Sequence, residues 1–265
     1  MSYHSDFYAN GFLPAMDIFN PDESNKLRDD LNNTIDQYDI LNNEYRCKSH
    51  MLFKWVDELA HHPKILKIVK ELLGENIICH DTMFWCKQPQ CDQYVSFHQD
   101  GYYWNVKEPF KGVTVWIPFQ DTDDINGTIH YVDKSHTKFH THIDIINSSN
   151  MLKRGQTIDV GQLALPIKSS PTKLGQVTMH HPYNVHGSYP NHNDSARIAC
   201  NIQYIASDTE ALIDTHTEYG VLVSGVNSTD MKTVNRPSNN FEENYKAWYQ
   251  AWYNQRQNYL LHKGR

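Results

Sequence analysis

The chain has 265 residues with a formal net charge of −7, of which 39% are hydrophobic and 21% charged, and a chain of this length can bury a large core. It carries no long run of Lys or Arg, which argues against a protein that binds nucleic acid through the phosphates. No segment approaches the ~18 consecutive apolar residues of a membrane-spanning helix, and residues 1–6 lack the basic and apolar regions of a signal peptide. We therefore expect a cytoplasmic protein that acts on a small molecule, without nucleic-acid or membrane partners; the sequence does not indicate the oligomeric state.

The five cysteines are an odd number and contain no CxxC pair, so a disulfide framework is not expected. Cys86 and Cys91 could form one half of a zinc site, but no second Cys or His pair has a suitable spacing. Reduced, mostly buried thiols are the simpler interpretation.

The N-terminal part, about residues 1–75, is predicted to be helical. Asn20 is a typical N-cap residue, and Pro21 follows it at a position where a helix tolerates proline. A second helix is expected to begin near Pro63 and to end near Gly74, a common C-terminal stop. Apolar residues recur with helical spacing at Leu27, Leu31 and Ile35 in the first helix and at Ile65, Leu66, Val69, Leu72 and Leu73 in the second.

The middle part, about residues 76–206, has the pattern of a β core. Short β-branched and aromatic stretches lie at residues 77–87, 94–97, 113–119, 129–132, 176–180 and 196–205. In the last stretch Ile198, Cys200 and Ile202 alternate with more polar residues, which is the period of a strand. Such a series predicts a sandwich, jelly roll or barrel, and the polar, irregular stretch 136–171 is long enough to be a lid or binding loop.

The C-terminal part, about residues 207–265, is predicted to end in a helix that covers the outside of the sheet. Its aromatic stripe consists of Phe241, Tyr245, Trp248, Trp252 and Tyr259, and such a stripe usually packs into the core. With no internal repeat or low-complexity linker, we expect a single domain over residues 1–265.

One short segment carries the first indication of chemistry. His98 and Asp100 are two residues apart, so on a strand or its frayed end both side chains point to the same side. An imidazole nitrogen and a carboxylate oxygen are two ligands of the 2-His-1-carboxylate triad, which leaves three positions open on Fe(II). Alone the pair is a weak signal, because the chain contains 16 histidines.

A second segment strengthens the prediction of a metal site. His186 follows the predicted strand 176–180, and Arg197 lies eleven residues later on the next strand. A 2-oxo acid that chelates iron has a distal carboxylate, which the planar, two-pronged guanidinium of arginine fits. Arg197 falls among apolar residues, where an unpaired cation is costly unless an anion satisfies it. We therefore predict that His98, Asp100 and His186 are iron ligands and that Arg197 binds 2-oxoglutarate.

These motifs resemble those of the phytanoyl-CoA dioxygenase family over most of the chain, from Tyr8 to about Tyr204. The similar segments are His98-Gln99-Asp100 with Tyr103-Trp104 behind it, Asn126-Gly127, Lys134-Ser135-His136, and His186-Gly187-Ser188 with Asn191 and Arg197. Lys134 stands where the family usually has Gly. The combination at these spacings is specific, although each piece alone is not.

The resemblance implies a mainly β protein, a double-stranded β-helix (jelly roll) with flanking N- and C-terminal helices. It also implies an Fe(II)/2-oxoglutarate-dependent dioxygenase that uses O2, releases succinate and CO2, and hydroxylates or otherwise oxidises an unactivated C–H bond. By the same resemblance Ser188, Trp116 and Met83 would line the 2-oxoglutarate pocket. Tyr102 and Trp104 are either core aromatics or substrate-facing residues, and the sequence leaves both interpretations open.

Several alternatives compete with this interpretation. His180 or His181 could replace His186 as a ligand, but the Gly-Ser after His186 and its spacing from Arg197 fit the pattern of the family that the chain resembles, which favours His186. His136 is expected to be a turn or outer residue. A halogenase would have a small residue in place of Asp100. A cupin-like isomerase or hydrolase would not need Arg197, and a silent binding protein would not need the intact triad. The net negative charge of the chain argues against a CoA ester, because the phosphates of CoA would need Lys or Arg. A small polar metabolite is therefore favoured as the substrate.

Overall fold

The secondary structure combines two large β-sheets and a two-stranded one with helices at both ends of the chain. The structure is a computed structural model that describes residues 2–104, 106, 111–152, 155–210, 219–228 and 232–262. The helices are α1 (Tyr3–Asn10), α2 (Pro21–Tyr38), α3 (Lys54–Ala60), α4 (Pro63–Leu73) and α5 (Glu243–His262). The strands are β1 (Phe12–Asp17), β2 (Ile77–Lys87), β3 (Val95–His98), β4 (Gly112–Pro118), β5 (Ile129–Val132), β6 (Ile143–Asp144), β7 (Gln156–Thr157), β8 (Ile167–Ser169), β9 (Gln176–His180), β10 (His186–Ser188), β11 (Arg197–Ala206), β12 (Tyr219–Ser224) and β13 (Lys232–Thr233).

Both predicted N-terminal helices are confirmed, together with the start predicted for the first and both ends predicted for the second. Asn20 caps α2 by accepting a hydrogen bond from the backbone N–H of Glu23, whose carboxylate accepts from the N–H of Asn20 in return. This capping box satisfies two backbone donors that no helical hydrogen bond would reach. Pro63 opens α4, and Gly74 ends it with a φ of 88°, a conformation that glycine adopts without strain.

Two sheets face each other as a jelly roll, which confirms the predicted fold class. The larger sheet has the order β1-β9-β4-β11-β2-β12-β13, and the smaller has the order β3-β10-β5-β8. Side chains of both sheets meet in one buried cluster between them, made of Phe12, Trp116, Ile129, Tyr131 and Ala199. The space between the sheets is therefore the place where strand side chains of both can form a common site.

The outer face of the larger sheet packs against the helices. Val115, Cys200 and Ile202 belong to the large apolar cluster, and their neighbours along the same strands point the other way, towards the smaller sheet. The same cluster contains Val56 of α3, Val69 of α4 and side chains of α2 and α5. The helices thus hold the sheet from outside and leave its inner face for the site.

Two parts of the chain differ from the sequence prediction. The N-terminal part is not helical throughout, because Phe12–Asp17 forms the edge strand β1, paired with β9. In the C-terminal part, Phe241 precedes α5 and has a φ of 57°. Among the described side chains of α5, Tyr249 and Trp252 are buried; the side chains of Trp248 and Tyr259 lie outside the described residues. The phenol of Tyr249 donates to the carbonyls of Glu44 and Cys47, which explains why this residue, absent from the predicted stripe, faces inward.

The predicted loop 136–171 contains short ordered elements. Strands β6 and β7 pair with each other, and β8 adds a fourth strand to the smaller sheet. The organisation as one domain stays a prediction. Among the described helices, none combines the length and the apolar character that crossing a membrane would require.

Candidate metal centre and cosubstrate pocket

The three predicted metal ligands meet where β3 and β10 run side by side. His98 is the last residue of β3, and its Cα partner on β10 is His186. Asp100 opens the short 3-10 turn that follows β3. The Oδ1 atom of Asp100 lies 3.3 Å from Nε2 of His98 and 3.6 Å from Nε2 of His186. All three residues are buried, and one ligand atom from each lies within 4.8 Å of the others.

Each of the two histidines is oriented by a backbone carbonyl. Nδ1 of His98 lies 2.8 Å from the carbonyl oxygen of Ser96, and Nδ1 of His186 lies 2.9 Å from that of Asn184. A carbonyl only accepts, so we assign the ring proton to Nδ1 in both residues. The Nε2 lone pairs are then directed at the shared space beside Asp100, as metal-binding histidines require. The donor set fits Fe(II).

The charge states also suit a divalent cation. Burial, together with His180 and His98, holds the pKa of His186 well below its usual range, so this imidazole is neutral. Burial alone would raise the pKa of Asp100, but interactions with His186, His180 and His98 hold it well below its usual range. A neutral imidazole beside an ionised carboxylate is the form in which these residues bind metals.

The other oxygen of Asp100 is held by His180, which the sequence analysis considered only as an alternative ligand, and by Thr114, which it did not consider. The Thr114 hydroxyl donates to Oδ2 at 2.6 Å, and Nε2 of His180 lies 3.1 Å from the same atom. His181 instead packs against Phe7 of α1, and Nε2 of His136 contacts the carbonyl of Tyr8. His180 is therefore next to the centre without belonging to the three-residue group.

Gln99, the middle residue of the first motif, forms hydrogen bonds that hold the segment after β5 next to this motif. Its fully buried amide donates to the carbonyls of Lys138 and Tyr183, and its oxygen accepts from the N–H of His140. Tyr102 stacks on the ring of His142 at 4.1 Å, and burial lowers the pKa of His142 to about 4. This part of the predicted loop thus places the rings of Phe139 and His142 against Tyr102, next to the first motif.

Tyr102 and Trp104 occupy different environments. Tyr102 is half-buried and also stacks on Phe139, which is 47% exposed. Trp104 is buried in an apolar cluster with Ile78 and Ile205. Trp104 thus has the contacts of a core residue, and the substrate role considered for both aromatics stays a prediction.

Arg197 is a buried cation on the inner face of the larger sheet. It is 2% exposed, and its Nε has no hydrogen-bond partner among the described residues. Burial lowers its pKa to about 10, and the groups that oppose this shift are the thiols of Cys86 and Cys91, not a carboxylate. A guanidinium so placed is expected to receive an anion.

Lys87 is a second buried basic residue, and the sequence analysis missed it. It is the Cα partner of Arg197 in the β2–β11 pair. Its Nζ donates to Oγ of Ser188 at 2.7 Å and to the carbonyls of Ser188 and Tyr189. Burial, with the charge of Arg197, lowers the pKa of Lys87 to about 6. The only local signal was a lysine at the end of a largely apolar strand; the register that sets it opposite Arg197 cannot be read from the sequence.

The remaining predicted pocket residues lie around these two basic residues. Ser188 is two residues beyond His186 on β10, so both side chains face the same side. On the larger sheet Asn201 is the Cα partner of both Met83 and Trp116, so these three share the inner face with Arg197. The Oδ1 atom of Asn201 is buried without a hydrogen-bond partner among the described residues. The inner face therefore presents unpaired donors and acceptors close to the two basic residues.

The zinc alternative has no support in the geometry. Cys86 and Cys91 are free, half-buried thiols. Within the described part of the chain, His98, Asp100 and His186 form the one group of three or more potential metal ligands with mutually close ligand atoms.

Two turns in the motifs that resemble the family have the left-handed backbone conformation that favours glycine. Gly127 has a φ of 76°, and a Cβ there would lie 2.4 Å from the carbonyl oxygen of Tyr189. Lys134, which stands where the family usually has Gly, has a φ of 58°. This left-handed conformation explains why glycine is common there.

Comparisons with known proteins agree with this geometry. The family model described as phytanoyl-CoA dioxygenase (PhyH) matches residues 7–199. A probable alpha-ketoglutarate-dependent hypophosphite dioxygenase from Stutzerimonas stutzeri is 28% identical over 201 residues, 71% of this chain and 67% of that protein. A 1-deoxypentalenic acid 11-beta-hydroxylase from Streptomyces exfoliatus is 27% identical over 167 residues, 60% of this chain and 57% of that protein.

A solved structure extends the likeness to almost the whole chain. The non-heme monooxygenase ThoJ in its apo form superposes with a TM-score of 0.84 at 22% identity, covering 97% of this chain and 96% of the other. At this identity the likeness shows the fold, whereas the family model covers most of the sequence, including His98, Asp100 and His186. The chain therefore belongs to the phytanoyl-CoA dioxygenase family of Fe(II)/2-oxoglutarate-dependent oxygenases.

Proposed function

We propose that this protein hydroxylates, or otherwise oxidises, an unactivated C–H bond of a small-molecule metabolite, with His98, Asp100 and His186 as its iron ligands. One observation carries the proposal. Two oriented imidazole nitrogens and one carboxylate oxygen converge in a buried space, and the inner face of the larger sheet carries a buried arginine whose Nε has no hydrogen-bond partner among the described residues. A 2-oxo acid that chelates the metal needs both features, a metal with open positions and a cation for its distal carboxylate.

Arg197 is proposed to grip the distal carboxylate of 2-oxoglutarate, with Ser188, Trp116 and Met83 around it. Lys87 supports this role, because its Nζ donates to Oγ of Ser188. The Ser188 hydroxyl, which accepts from Lys87, keeps its own proton to donate to a carboxylate oxygen. Arg197 lies opposite Lys87, whose pKa is lowered to about 6 and which can take up a proton when a dianion binds, so the pocket favours a dianionic ligand over a monoanionic one.

The protein contributes positioning and exclusion of water. When bound, Fe(II) with 2-oxoglutarate and O2 supplies the oxidising power for the C–H bond, with release of succinate and CO2. The side chains of the larger sheet hold the cosubstrate, and Gln99 fastens the neighbouring segment over the centre. The substrate carbon is proposed to approach from the side of Tyr102 and Trp104, which follow the first motif.

The substrate is proposed to be small. The net charge of −7 disfavours a ligand rich in phosphates, such as a CoA ester. The named relatives do not narrow the choice, because their names give hypophosphite in one case and 1-deoxypentalenic acid in the other. Asp100 occupies the position that a halide would need, so we propose oxygenation and not halogenation.

Anaerobic reconstitution with Fe(II) and 2-oxoglutarate, followed by a metabolite screen for O2-dependent succinate release, tests this function. We expect at least one metabolite to stimulate succinate release and to gain an oxygen atom or lose hydrogen. His98→Ala should abolish the stimulated release, whereas His192→Ala, at an exposed histidine, serves as the matched control. A chlorinated product from the native protein in saline buffer, or equal activity in His98→Ala, would contradict the proposal.

A further inference from the structure

The two oxygens of Asp100 have different surroundings. Oδ1 faces the Nε2 atoms of His98 and His186 at 3.3 and 3.6 Å. Oδ2 accepts hydrogen bonds from Thr114 at 2.6 Å and from His180 at 3.1 Å. Thr114 and His180 are both fully buried, so water does not compete for this oxygen. Each oxygen therefore has its own set of partners.

The two donors reach Asp100 from the opposite sheet. Thr114 lies on β4 and His180 on β9, and the two are Cα partners in an antiparallel pair, so their side chains stand together on the inner face. Asp100 follows β3 of the smaller sheet. The larger sheet thus holds a residue of the smaller one by two hydrogen bonds across the interior.

The direction of these hydrogen bonds follows from the chemistry of the groups. An ionised carboxylate only accepts, so the Thr114 hydroxyl and Nε2–H of His180 are donors. Nδ1 of His180 lies 3.3 Å from the phenol oxygen of Tyr131, which in turn lies 2.7 Å from Oγ1 of Thr178. A chain of donors from Thr178 through Tyr131 to His180 keeps the proton of His180 on Nε2. The side chains that form this network with Asp100 are all buried, namely Thr114, His180, Tyr131 and Thr178. The arrangement is therefore held rigidly.

We propose that Thr114 and His180 are positioning residues that restrict Asp100 to binding the metal through one oxygen. This inference rests on the proposed function. A carboxylate can bind a metal through both oxygens, and a second metal–oxygen bond would take one of the three positions that the triad leaves open. With both donors on Oδ2, that oxygen is engaged before any metal arrives. The open positions are thereby kept for 2-oxoglutarate, which needs two, and for O2, which needs one.

The proposal predicts that metal binding and cosubstrate binding respond differently when the donors are removed. Thr114→Val is nearly isosteric and removes one donor; His180→Phe keeps a planar ring without a donor. In the double variant we expect the affinity of Co(II)-loaded protein for 2-oxoglutarate to fall roughly tenfold or more, because the second oxygen of Asp100 then competes for a position on the metal that 2-oxoglutarate needs. The affinity of the apoprotein for Co(II) should change much less. Oδ2 of Asp100 loses its hydrogen bonds but becomes free to form a second bond to the metal.

The experiment is a pair of titrations on each variant: Co(II) into apoprotein, followed by visible absorption, and 2-oxoglutarate into Co(II)-loaded protein, followed by calorimetry. Thr114→Ser and His180→Gln, which retain donors, should recover most of the 2-oxoglutarate affinity. Thr122→Val is the matched control, since it also removes a buried hydroxyl with a hydrogen bond, to the carbonyl of Thr172, which is its partner in an isolated β-bridge. Each single variant is measured as well, so that a double variant that fails to fold does not end the test.

The outcomes separate this inference from the function beneath it. Loss of 2-oxoglutarate affinity with retained Co(II) affinity supports the positioning role. A parallel loss of both affinities with a lower melting temperature, or no change in either, overturns it while leaving the proposed function intact. Native protein that binds Co(II) but not 2-oxoglutarate, or neither, overturns the proposed function itself.

Discussion

The two faces of strand β11 differ in how completely their polar atoms are paired. On the outer face Cys200, Ile202 and Tyr204 are fully buried in the apolar cluster, and the phenol of Tyr204 donates to the carbonyl of Ala60 at 2.8 Å. On the inner face Arg197 Nε and Asn201 Oδ1 are buried without hydrogen-bond partners among the described residues. Buried polar atoms are normally satisfied. The unsatisfied ones of this strand lie on the side where a ligand is proposed to bind.

The contrast shows that one face of a strand can contribute to stability while the other face contributes to ligand binding. The outer face is expected to determine the free energy of unfolding. The inner face is expected to determine affinity for metal and cosubstrate at little cost to the fold. Substitutions at neighbouring positions of the same strands can therefore separate the two roles.

The largest effect is expected at the metal ligands. His98→Ala and His186→Ala should each abolish Fe(II) binding, measured as bound metal after anaerobic equilibrium dialysis, because two protein ligands rarely retain Fe(II). His136→Ala should bind normally, since its ring contacts the backbone of α1. Full metal binding by His186→Ala, with loss in His181→Ala, would show that the distal ligand has been assigned wrongly.

The next effect compares adjacent residues on the two faces of β11. Ile202→Ala leaves a cavity in the outer cluster and should lower the free energy of unfolding by about 2–5 kcal/mol, as measured by urea denaturation. The folded variant should bind 2-oxoglutarate as tightly as the native protein. Asn201→Ala should do the reverse, with a small change in stability and weaker cosubstrate binding. Equal effects of both variants on binding would remove the distinction between the faces.

A smaller effect is expected for Arg197→Lys. The substitution keeps the charge but loses the two-pronged geometry, so affinity for 2-oxoglutarate should fall roughly ten- to a hundredfold. Affinity for the substrate should change much less, and Arg28→Lys, at an exposed arginine, is the control. If Arg197 served the fold alone, the variant would melt at a lower temperature and would discriminate between keto acids as before.

The smallest effect concerns protons. The pKa of Lys87 is lowered to about 6 by burial and by Arg197, so at pH 7.5 (~1.5 units above this value) the free protein holds Lys87 mostly neutral. A dianion bound beside it should raise that pKa, so binding takes up part of a proton and tightens as the pH falls towards 6. Calorimetry in buffers of different ionisation enthalpy measures this uptake. Lys87→Met should show none; an equal uptake in that variant would assign the proton elsewhere.

Much of the fold could be predicted because its local patterns are strong. The strand predicted at residues 77–87 coincides with β2, and Asn20 and Gly74 mark the ends of their helices. Strand β1 was missed because its sequence contains Pro14 and lacks alternation; pairing with β9 makes it a strand. Pro14 is tolerated at the edge of the sheet, where its missing N–H has no partner to lose.

The candidate site was predictable only in part, because some of its residues, like strand β1, depend on strand pairing that the local sequence does not indicate. His98, Asp100, His186 and Arg197 belong to motifs with recognisable spacing. Thr114, His180 and Lys87 reach the same space through the register of strands that are distant in sequence. No local pattern encodes that register, so residues that act through another residue remained hidden until the sheets were assembled.

The most direct test of the central claim is an anaerobic titration of 2-oxoglutarate into Fe(II)-loaded protein, followed by visible absorption. The account predicts a weak charge-transfer band that saturates at one 2-oxoglutarate per chain, because the keto acid chelates the metal held by the triad. Pyruvate, which lacks the distal carboxylate, should need a much higher concentration to give the same band. The absence of any band, or an equal response to both keto acids, would contradict the account.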